Sequence, residues 1–573
     1  MKAKILFIIL LFYCSPDLVP QWVGYEYAFD INNIYLPLNR SGIIADVNPP
    51  NGNGSGGQFG GNVFLFSGGF FLSGYSNGQL WANAVASASL VEDYLPGTIT
   101  NPNGALYKLS SSDEPFNSPS WQDWQSAVEF GADFYDGNGD GFYIPVDLNG
   151  NGQWDPNEDR PDILGDETIW CVYNDAAAGS RWTTVEPQGI EIRQTVFAYE
   201  YVAELQNIIF IRYRIKNTGV VANEMTDVYF AVWDDPDIGT SSNDMVGCDT
   251  LLNGQFTYNW YSDPIYGNNP PSFFARTLSG PNTYIPGETF IDNNGNGVYD
   301  EGIDTPLDTA YVHRGQILGV AEYPGAKNQK ISSMVHYING DVNLNDPTNK
   351  EEARNYMLGL TKIGEVVDPC TWTYGQVEGG VDCSQINPMF WYSGDPVNNY
   401  GWVNNTPRDQ RQIQNIGPFT LKAGEEYEVF VAYNVGQGTD AFTSITEAKN
   451  ISVISGVLYN SNFDTSTVVS VEAIQSGNIP EKYSLSQNYP NPFNPSTKIK
   501  FSIPVILSGV EGFLVTLKIY NSLGEEVAVL LNRELTAGAY EVEWSATGLP
   551  SGIYFYQLKT EGFVETKKMI LLR

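Results

Sequence analysis

Histidine is almost absent: two occur in 573 residues, His313 in YVHRG and His336 in MVHYING. Neither lies in an H-E-x-x-H motif or beside a cysteine, which excludes the common histidine-bound zinc arrangements. Both sit in strand-like contexts and read as structural residues. Positive charge is scarce, with 30 Lys plus Arg against 66 Asp plus Glu and a formal net charge of −36. From Ser484 onward eight basic residues balance eight Glu, so the first 483 residues carry the imbalance, 22 basic against 58 acidic. Such a surface repels phosphate backbones; it argues against nucleic acid as a partner and in favour of cations. No stretch after the first twenty residues reaches the roughly 18 apolar residues of a membrane span, so no transmembrane segment is expected.

Cysteine is also sparse, at five. Cys14 belongs to MKAKILFIILLFYCSP, where Lys2 and Lys4 precede an apolar run from Ile5 to Tyr13. That pattern predicts a secretory signal peptide over residues 1–20, and the bulky Tyr13 argues against a lipid anchor on Cys14. Export leaves Cys171, Cys248, Cys370 and Cys383 on an oxidising route, with three pairings open to them. The short polar loop TWTYGQVEGGVD favours Cys370 with Cys383, a closure that contributes roughly 3 kcal/mol in the chain-entropy model. Cys171 with Cys248 is then the remaining pair, and four buried free thiols is the alternative.

What the chain has in quantity is turn formers and aromatics: 57 Gly, 33 Pro and 13% Phe, Trp and Tyr. That profile predicts a mainly β chain of short strands, and the length predicts several domains. IEIRQTVFAYEYV, IIFIRYRIKNTG and MTDVYFAVWDD read as successive strands, with Phe210, Arg212, Arg214 and Lys216 alternating against Ile211, Tyr213 and Ile215. IGPFTLKAGEEYEVFVAYNVGQG reads as a sandwich hairpin about AGEE, and ITEAKNISVISGVLYN as a short amphipathic helix. The expected organisation is a multidomain antiparallel β-sandwich body in two parts, 21–250 and 251–464, a linker at 465–483, and a terminal sandwich at 484–573.

The acidic residues are concentrated in DGNGDGFYIPVDLNGNGQWDPNED. Asp147, Asn149, Asn151, Gly152 and Glu158 complete the spacing D-x-[DN]-x-[DN]-G-x5-E, with Asp155 at the ninth position and the Gln153 carbonyl at the seventh. Calcium takes six to eight hard oxygens on a curved loop, which alternate Asp and Asn supply while the sixth-position Gly permits the bend. Asp136, Asn138, Asp140 and the Phe142 carbonyl form a similar loop just before it, ending on Asp147, which the two loops are expected to share. Pro145 and Pro156 argue against flanking helices. A third loop offers Asp292, Asn294, Asn296, the Val298 carbonyl and Asp300; Ile303 stands at its twelfth position, so Glu301 or Asp304 must close it. DVNLND at Asp341–Asp346 lacks the bend glycine and reads as a plain loop, and Asp234, Asp235, Asp237, Asp244 and Asp249 read as a solvated turn, with a further cation site as the alternative.

The end of the chain reads SLSQNYPNPFNPSTKIKFSIP, then VTLKIYNSLGEEVAVLL, TAGAYEVEWSATGLPSGIYFYQLKTEG and TKKMILLR. It resembles the type A C-terminal sorting domain of type IX secretion cargo, related to the immunoglobulin-like domain of flagellar hook-capping proteins. The residues that carry the resemblance are Asn488 to Pro495, then Tyr520, Gly524, Gly538, Trp544, Leu549, Gly552, Tyr554 and Leu558. It implies an immunoglobulin-like fold, the type IX machinery as partner, and export across the outer membrane to the medium or the cell surface. SWQDW, DRPDILGDETIWCVYND, VWDDPDIG, NDMVGCDT, SGDPVNNYGW and GPFTL resemble large surface proteins that carry such tails, which implies no particular activity.

For an enzyme the sequence offers little. Gly74-Tyr75-Ser76-Asn77-Gly78 fits G-x-S-x-G, but an elbow requires a following helix within a parallel α/β pattern, and the surrounding sequence reads as turns and antiparallel strands. Trp121, Trp124, Trp154, Trp391, Tyr392 and Trp402 stand beside polar loops, where exposed rings can stack on sugars. The expectation is a secreted, calcium-stabilised structural or adhesive surface protein that is not an enzyme. The alternatives are a glycan binder, with surface glycans or other surface proteins as partners, and a secreted hydrolase.

Overall fold

The computed structural model describes residues 24–177, 182, 185–467, 471–473, 482–503, 513–522, 524, 526–535, 538–546, 549–560 and 563–572. The expected signal segment lies outside these residues, as does most of the expected linker. The described chain is mainly β. Its body contains two large antiparallel sheets. One has nine strands, in the spatial order Asp244–Asp249, Gly254–Asn259, Ser272–Ser279, Glu426–Gly436, Ile208–Asn217, Ile190–Ala198, Glu167–Asn174 and Leu95–Pro96, with Tyr107–Ser110 also on Glu167–Asn174. The other has six: Ile331–Ile338, Gln410–Lys422, Glu224–Asp235, Ser67–Ser76, Gln79–Ala86 and Val91–Glu92.

The inner faces follow from the two-residue side-chain period. Ile209, Ile211, Tyr213 and Ile215 of the nine-stranded sheet share one core with Phe70, Leu72, Phe230 and Val232 of the six-stranded sheet. On the opposite face of strand Ile208–Asn217, Phe210, Arg212 and Arg214 are not left to solvent, although their alternation resembles an exposed edge. Phe210 packs under helix Ala441–Asn460 with Leu458 and Tyr459, Arg212 pairs with Asp162 at 2.8 Å, and Arg214 pairs with Asp133 and Glu428. Burial there requires charge pairing, because a lone buried guanidinium loses its hydration uncompensated. The six-stranded sheet is covered likewise: Phe71, Trp233 and Tyr337 pack with Tyr356 of helix Lys350–Met357 and with Trp391 and Trp402.

Three expectations change in this frame. The AGEE turn joins strands of different sheets: Gln410–Lys422 pairs with Glu224–Asp235 and Ile331–Ile338, while Glu426–Gly436 pairs with Ile208–Asn217 and Ser272–Ser279. It is an arch across the sandwich, not a hairpin, because both ladder edges of each strand are already used. The short amphipathic helix is a twenty-residue one, Ala441–Asn460, started by a capping box between Asp440 and Thr443. Its apolar stripe is faint because Ser444, Ser452, Ser455 and Gly456 are buried too; a Cβ on Gly456 would stand 2.5 Å from the Arg276 guanidinium. The division expected at residue 250 falls in the turn between Asp244–Asp249 and Gly254–Asn259, and both sheets draw strands from each side of it.

The terminal unit is two four-stranded sheets, one of Val471–Ala473, Gly538–Ser545, Ser496–Ile503 and Ser484–Leu485, the other of Glu526–Leu535, Phe513–Tyr520, Gly552–Thr560 and Phe563–Leu571. Leu517, Ile519, Val542, Trp544 and Tyr556 fill the core between them. The NYPNPFNP segment is bound to this core. Phe493 lies 5.5 Å from Trp544, the Asn491 side chain accepts the Ile570 N–H at 2.9 Å, and buried Asn488 donates to Thr497 Oγ1 at 2.9 Å.

Candidate functional site

Each acidic loop leaves and re-enters the body through a two-residue ladder. Phe134–Tyr135 pairs with Arg160–Pro161 at the base of the double loop, and Phe290–Ile291 pairs with Thr305–Pro306 at the base of the third. Inside, the loops repeat one hydrogen-bond lattice. Asp147 Oδ1 accepts the N–H of Gly150 and Asn151 at 2.6 and 3.2 Å, and its Oδ2 accepts Gly152 at 2.8 Å. Asp136 accepts Gly139, Asp140 and Gly141 in the same way, and Asp292 accepts Gly295, Asn296 and Gly297. Those N–H bonds hold the Asp147 carboxyl below the usual carboxylate range, Gly152 foremost. The third-position amide oxygen accepts the fifth N–H, from Asn138 to Asp140, Asn149 to Asn151 and Asn294 to Asn296. The fifth side chain accepts the seventh N–H, of Phe142, Gln153 or Val298.

The bend glycines are required. Gly141, Gly152 and Gly297 have φ of 81°, 71° and 79°, the left-handed region that other residues enter at a cost. At the ninth position Asp155 Oδ2 accepts the amides of Asn149 and Asn151 at 2.6 and 2.9 Å, and Asp300 Oδ2 accepts those of Asn294 and Asn296, both at 2.7 Å.

The closing acids show what linear spacing missed. Glu158 accepts the second and ninth N–H groups of its loop, Leu148 at 2.7 Å and Asp155 at 2.9 Å. In the third loop Asp304 does this, accepting Asn293 and Asp300, each at 2.8 Å. In the first loop the corresponding groups are Gly137 and Ile144, and both donate to Asp159, at 3.1 and 2.7 Å. Asp147 therefore opens the second loop and does not close the first. Asp159 does, by reaching back across the second loop, and like Asp304 it directly precedes the returning strand. Gly137 is small for this reason, since a Cβ there would stand 2.4 Å from the Glu158 backbone.

Asp136, Asp140, Asp147, Asp155, Glu158, Asp159, Asp292, Asp300 and Asp304 make no ion pair among the described residues, so each loop carries three uncompensated carboxylates. With the side-chain oxygens of Asn138, Asn149, Asn151, Asn294 and Asn296 and the carbonyls of Phe142, Gln153 and Val298, they form the hard-oxygen donor set that fits calcium.

The other expected sites resolve differently. Cys370 and Cys383 are bonded, with Cα atoms 5.1 Å apart. Cys171 and Cys248 are not; both are buried free thiols, on strands six spacings of roughly 5 Å apart in the nine-stranded sheet, too far to bond. The aspartates around DDPDIG are not solvated. Asp234 is buried and hydrogen-bonded by Tyr433, Asp244 is buried and accepts Asn259 at 3.0 Å, and Asp249 pairs with Lys449 at 2.8 Å.

Trp121, Trp124, Trp391, Tyr392 and Trp402 are core residues, 3% exposed or less, so they offer no stacking face; Trp154 packs against Tyr135 under the Arg160 guanidinium. Ser76 ends strand Ser67–Ser76 and turns at Asn77-Gly78 into strand Gln79–Ala86, so no helix follows it. His336 is buried with neither ring nitrogen hydrogen-bonded, 5.6 Å from Tyr392.

No curated protein matches the chain in sequence. Among solved structures it aligns with a polysaccharide lyase over 95% of its own length and 47% of that chain, at 8% identity and a TM-score of 0.26. The chain thus spans about half the length of that protein. The adhesin domain of Epf from Streptococcus pyogenes aligns over 70% of this chain and 89% of that one, at 8% identity and a TM-score of 0.14. PorZ, a surface component of the type IX secretion system of Porphyromonas gingivalis, aligns over 96% and 58%, at 11% identity and a TM-score of 0.14. Similarities this low assign nothing to the body. No described helix is long and apolar enough to cross a membrane. Residues 487–572, which fold as the terminal sandwich described above, match the secretion system C-terminal sorting domain family, and the chain is therefore type IX secretion cargo, exported and either released or attached at the cell surface.

Proposed function

We propose that the body is a calcium-stabilised structural or adhesive protein of the cell surface, without enzymatic activity, carried there by its sorting domain. The observation that supports this most is the common lattice of the three acidic loops, each with three carboxylates lacking a counter-charge. Extracellular calcium loops typically bind at roughly 0.1–1 mM, which suits a permanently loaded scaffold. In this reading the ions rigidify the two excursions from the sandwich, Asp136–Asp159 and Asp292–Asp304, and these present exposed Phe142, Leu148, Val298 and Ile303 to the outside.

The test is thermal unfolding of the secreted protein in excess calcium and again in chelator. A clear rise in melting temperature with calcium is expected. Identical melting in both conditions would reduce the loops to acidic turns and remove the proposal, while leaving the export assignment unaffected.

A further inference from the structure

A separate group of acids lies where strand Glu224–Asp235 ends in Asp-Asp-Pro-Asp. Asp234 stands opposite Gln412 in the register with strand Gln410–Lys422, so the two-residue period brings Asp235 and Arg411 onto one face, with Asp237 and Asp409 beside them. One carboxylate oxygen from each of Asp235, Asp237 and Asp409 lies within 4.8 Å of the others. A calcium ion sits about 2.3–2.6 Å from each ligand oxygen, so a separation of this size is one that a single ion spans.

Acids often gather without a ligand, and two observations distinguish this group. The first is charge. Arg411 is its one paired cation among the described residues, divided between Asp235 at 3.1 Å, Asp409 at 2.8 Å and Asp346 at 3.6 Å. One guanidinium faces four carboxylates, and the Asp237 carboxylate makes no hydrogen bond or ion pair among the described residues; only its backbone does, to Phe64 and Gly239. The second is a bare acceptor. Asp235 is 2% exposed, and while its Oδ2 takes Arg411, its buried Oδ1 has no hydrogen-bond partner. Buried carboxylate oxygens are normally satisfied, and an unsatisfied one marks a missing partner. Asp409 is held in place by the Asn339 amide at 2.8 Å as well as by Arg411, and Asp235 by Arg411, so two of the three carboxylates are positioned in advance.

We propose that Asp235, Asp237 and Asp409 bind a divalent cation of the calcium class, tying the end of strand Glu224–Asp235 to the start of strand Gln410–Lys422. This site is independent of the three acidic loops. The test uses the full secreted chain, stripped with chelator and dialysed against calcium alone, with bound calcium counted per chain. Asp237→Asn should bind one ion fewer than the unaltered protein, as should Asp292→Asn through the third loop, and the double variant two fewer. Unchanged stoichiometry in Asp237→Asn would overturn the proposal, whatever the loops bind. Because that substitution can also perturb the fold, crystals of the unaltered chain soaked in terbium provide a second measurement. An anomalous peak between the three carboxylates supports the site, and its absence overturns it, with the group then neutralised by retained protons.

Discussion

Replacing Asp159 by Asn separates the folded arrangement from the one that linear spacing implies. Asp159 is 1% exposed and accepts two backbone N–H groups of the first loop, Gly137 at 3.1 Å and Ile144 at 2.7 Å. Hydrogen bonds to a charged group contribute about 1.5–3 kcal/mol each. The Asn keeps one acceptor and turns its NH2 toward the other N–H, so one bond is lost and a donor is left unsatisfied in a buried place. The expected destabilisation, measured by urea unfolding in chelator with tryptophan fluorescence, is about 2–4 kcal/mol. On the proposed calcium reading, the variant also loses a ligand of the first loop when calcium is present. A loss of about 2 kcal/mol weakens binding roughly 30-fold, which takes a site of roughly 0.1–1 mM beyond millimolar calcium. Asp159→Asn should therefore bind one ion fewer, and Asp147→Asn, which opens only the second loop, also one fewer. Unfolding of Asp159→Asn within about 0.5 kcal/mol of the unaltered protein, or release of two ions by Asp147→Asn and none by Asp159→Asn, would show that Asp159 does not close the first loop.

Three further outcomes are expected. Thiol titration of the denatured, unreduced chain from residue 21 onward should find two thiols, Cys171 and Cys248, neither reactive in the native state; Cys370→Ser should cost roughly 3 kcal/mol by opening a loop of 13 residues. Finding no free thiol would contradict the free pair. Burial lowers the His336 pKa to about 3, so below about pH 6.5 the unfolded chain takes up a proton that the folded one refuses. Stability should fall with acidification across that window, by about 2 kcal/mol between pH 7 and 5 from this group, and His336→Gln should lose that much less; equal pH slopes would rule the histidine out as the cause. Deleting everything after Lys482 should leave the protein behind the outer membrane, and surface display of the truncated chain would contradict the sorting assignment.

The sorting domain was fully legible because its signal is local: the NYPNPFNP run and the glycines and aromatics after it specify one small sandwich in under a hundred residues. The hydrogen-bond lattice of the acidic loops was legible for the same reason. Asp136, Asp147 and Asp292 each bind N–H groups three to five residues ahead, a geometry that alternate Asx and Gly residues dictate. The mainly β class followed from composition, and the Cys370–Cys383 bond from a short loop.

Tertiary structure decided what depends on distant partners. Asp159 closes a loop that begins 23 residues earlier, and no linear template looks past Asp147 for it. The DDPDIG aspartates resemble a solvated turn until strand Gln410–Lys422 lies beside them and buries Asp235 against Arg411. Arg212 and Arg214 resemble a solvent face until Asp162, Asp133 and Glu428 meet them. The AGEE turn reads as a hairpin because strand pairing is nonlocal, and only the sandwich shows that its two strands enter opposite sheets. Sequence determined the export route, the strand content and the local hydrogen-bond lattices of the acidic loops. Which carboxylates are buried, which are paired and which remain bare was settled by packing, because desolvation and counter-charge come from neighbours that the chain brings in from elsewhere.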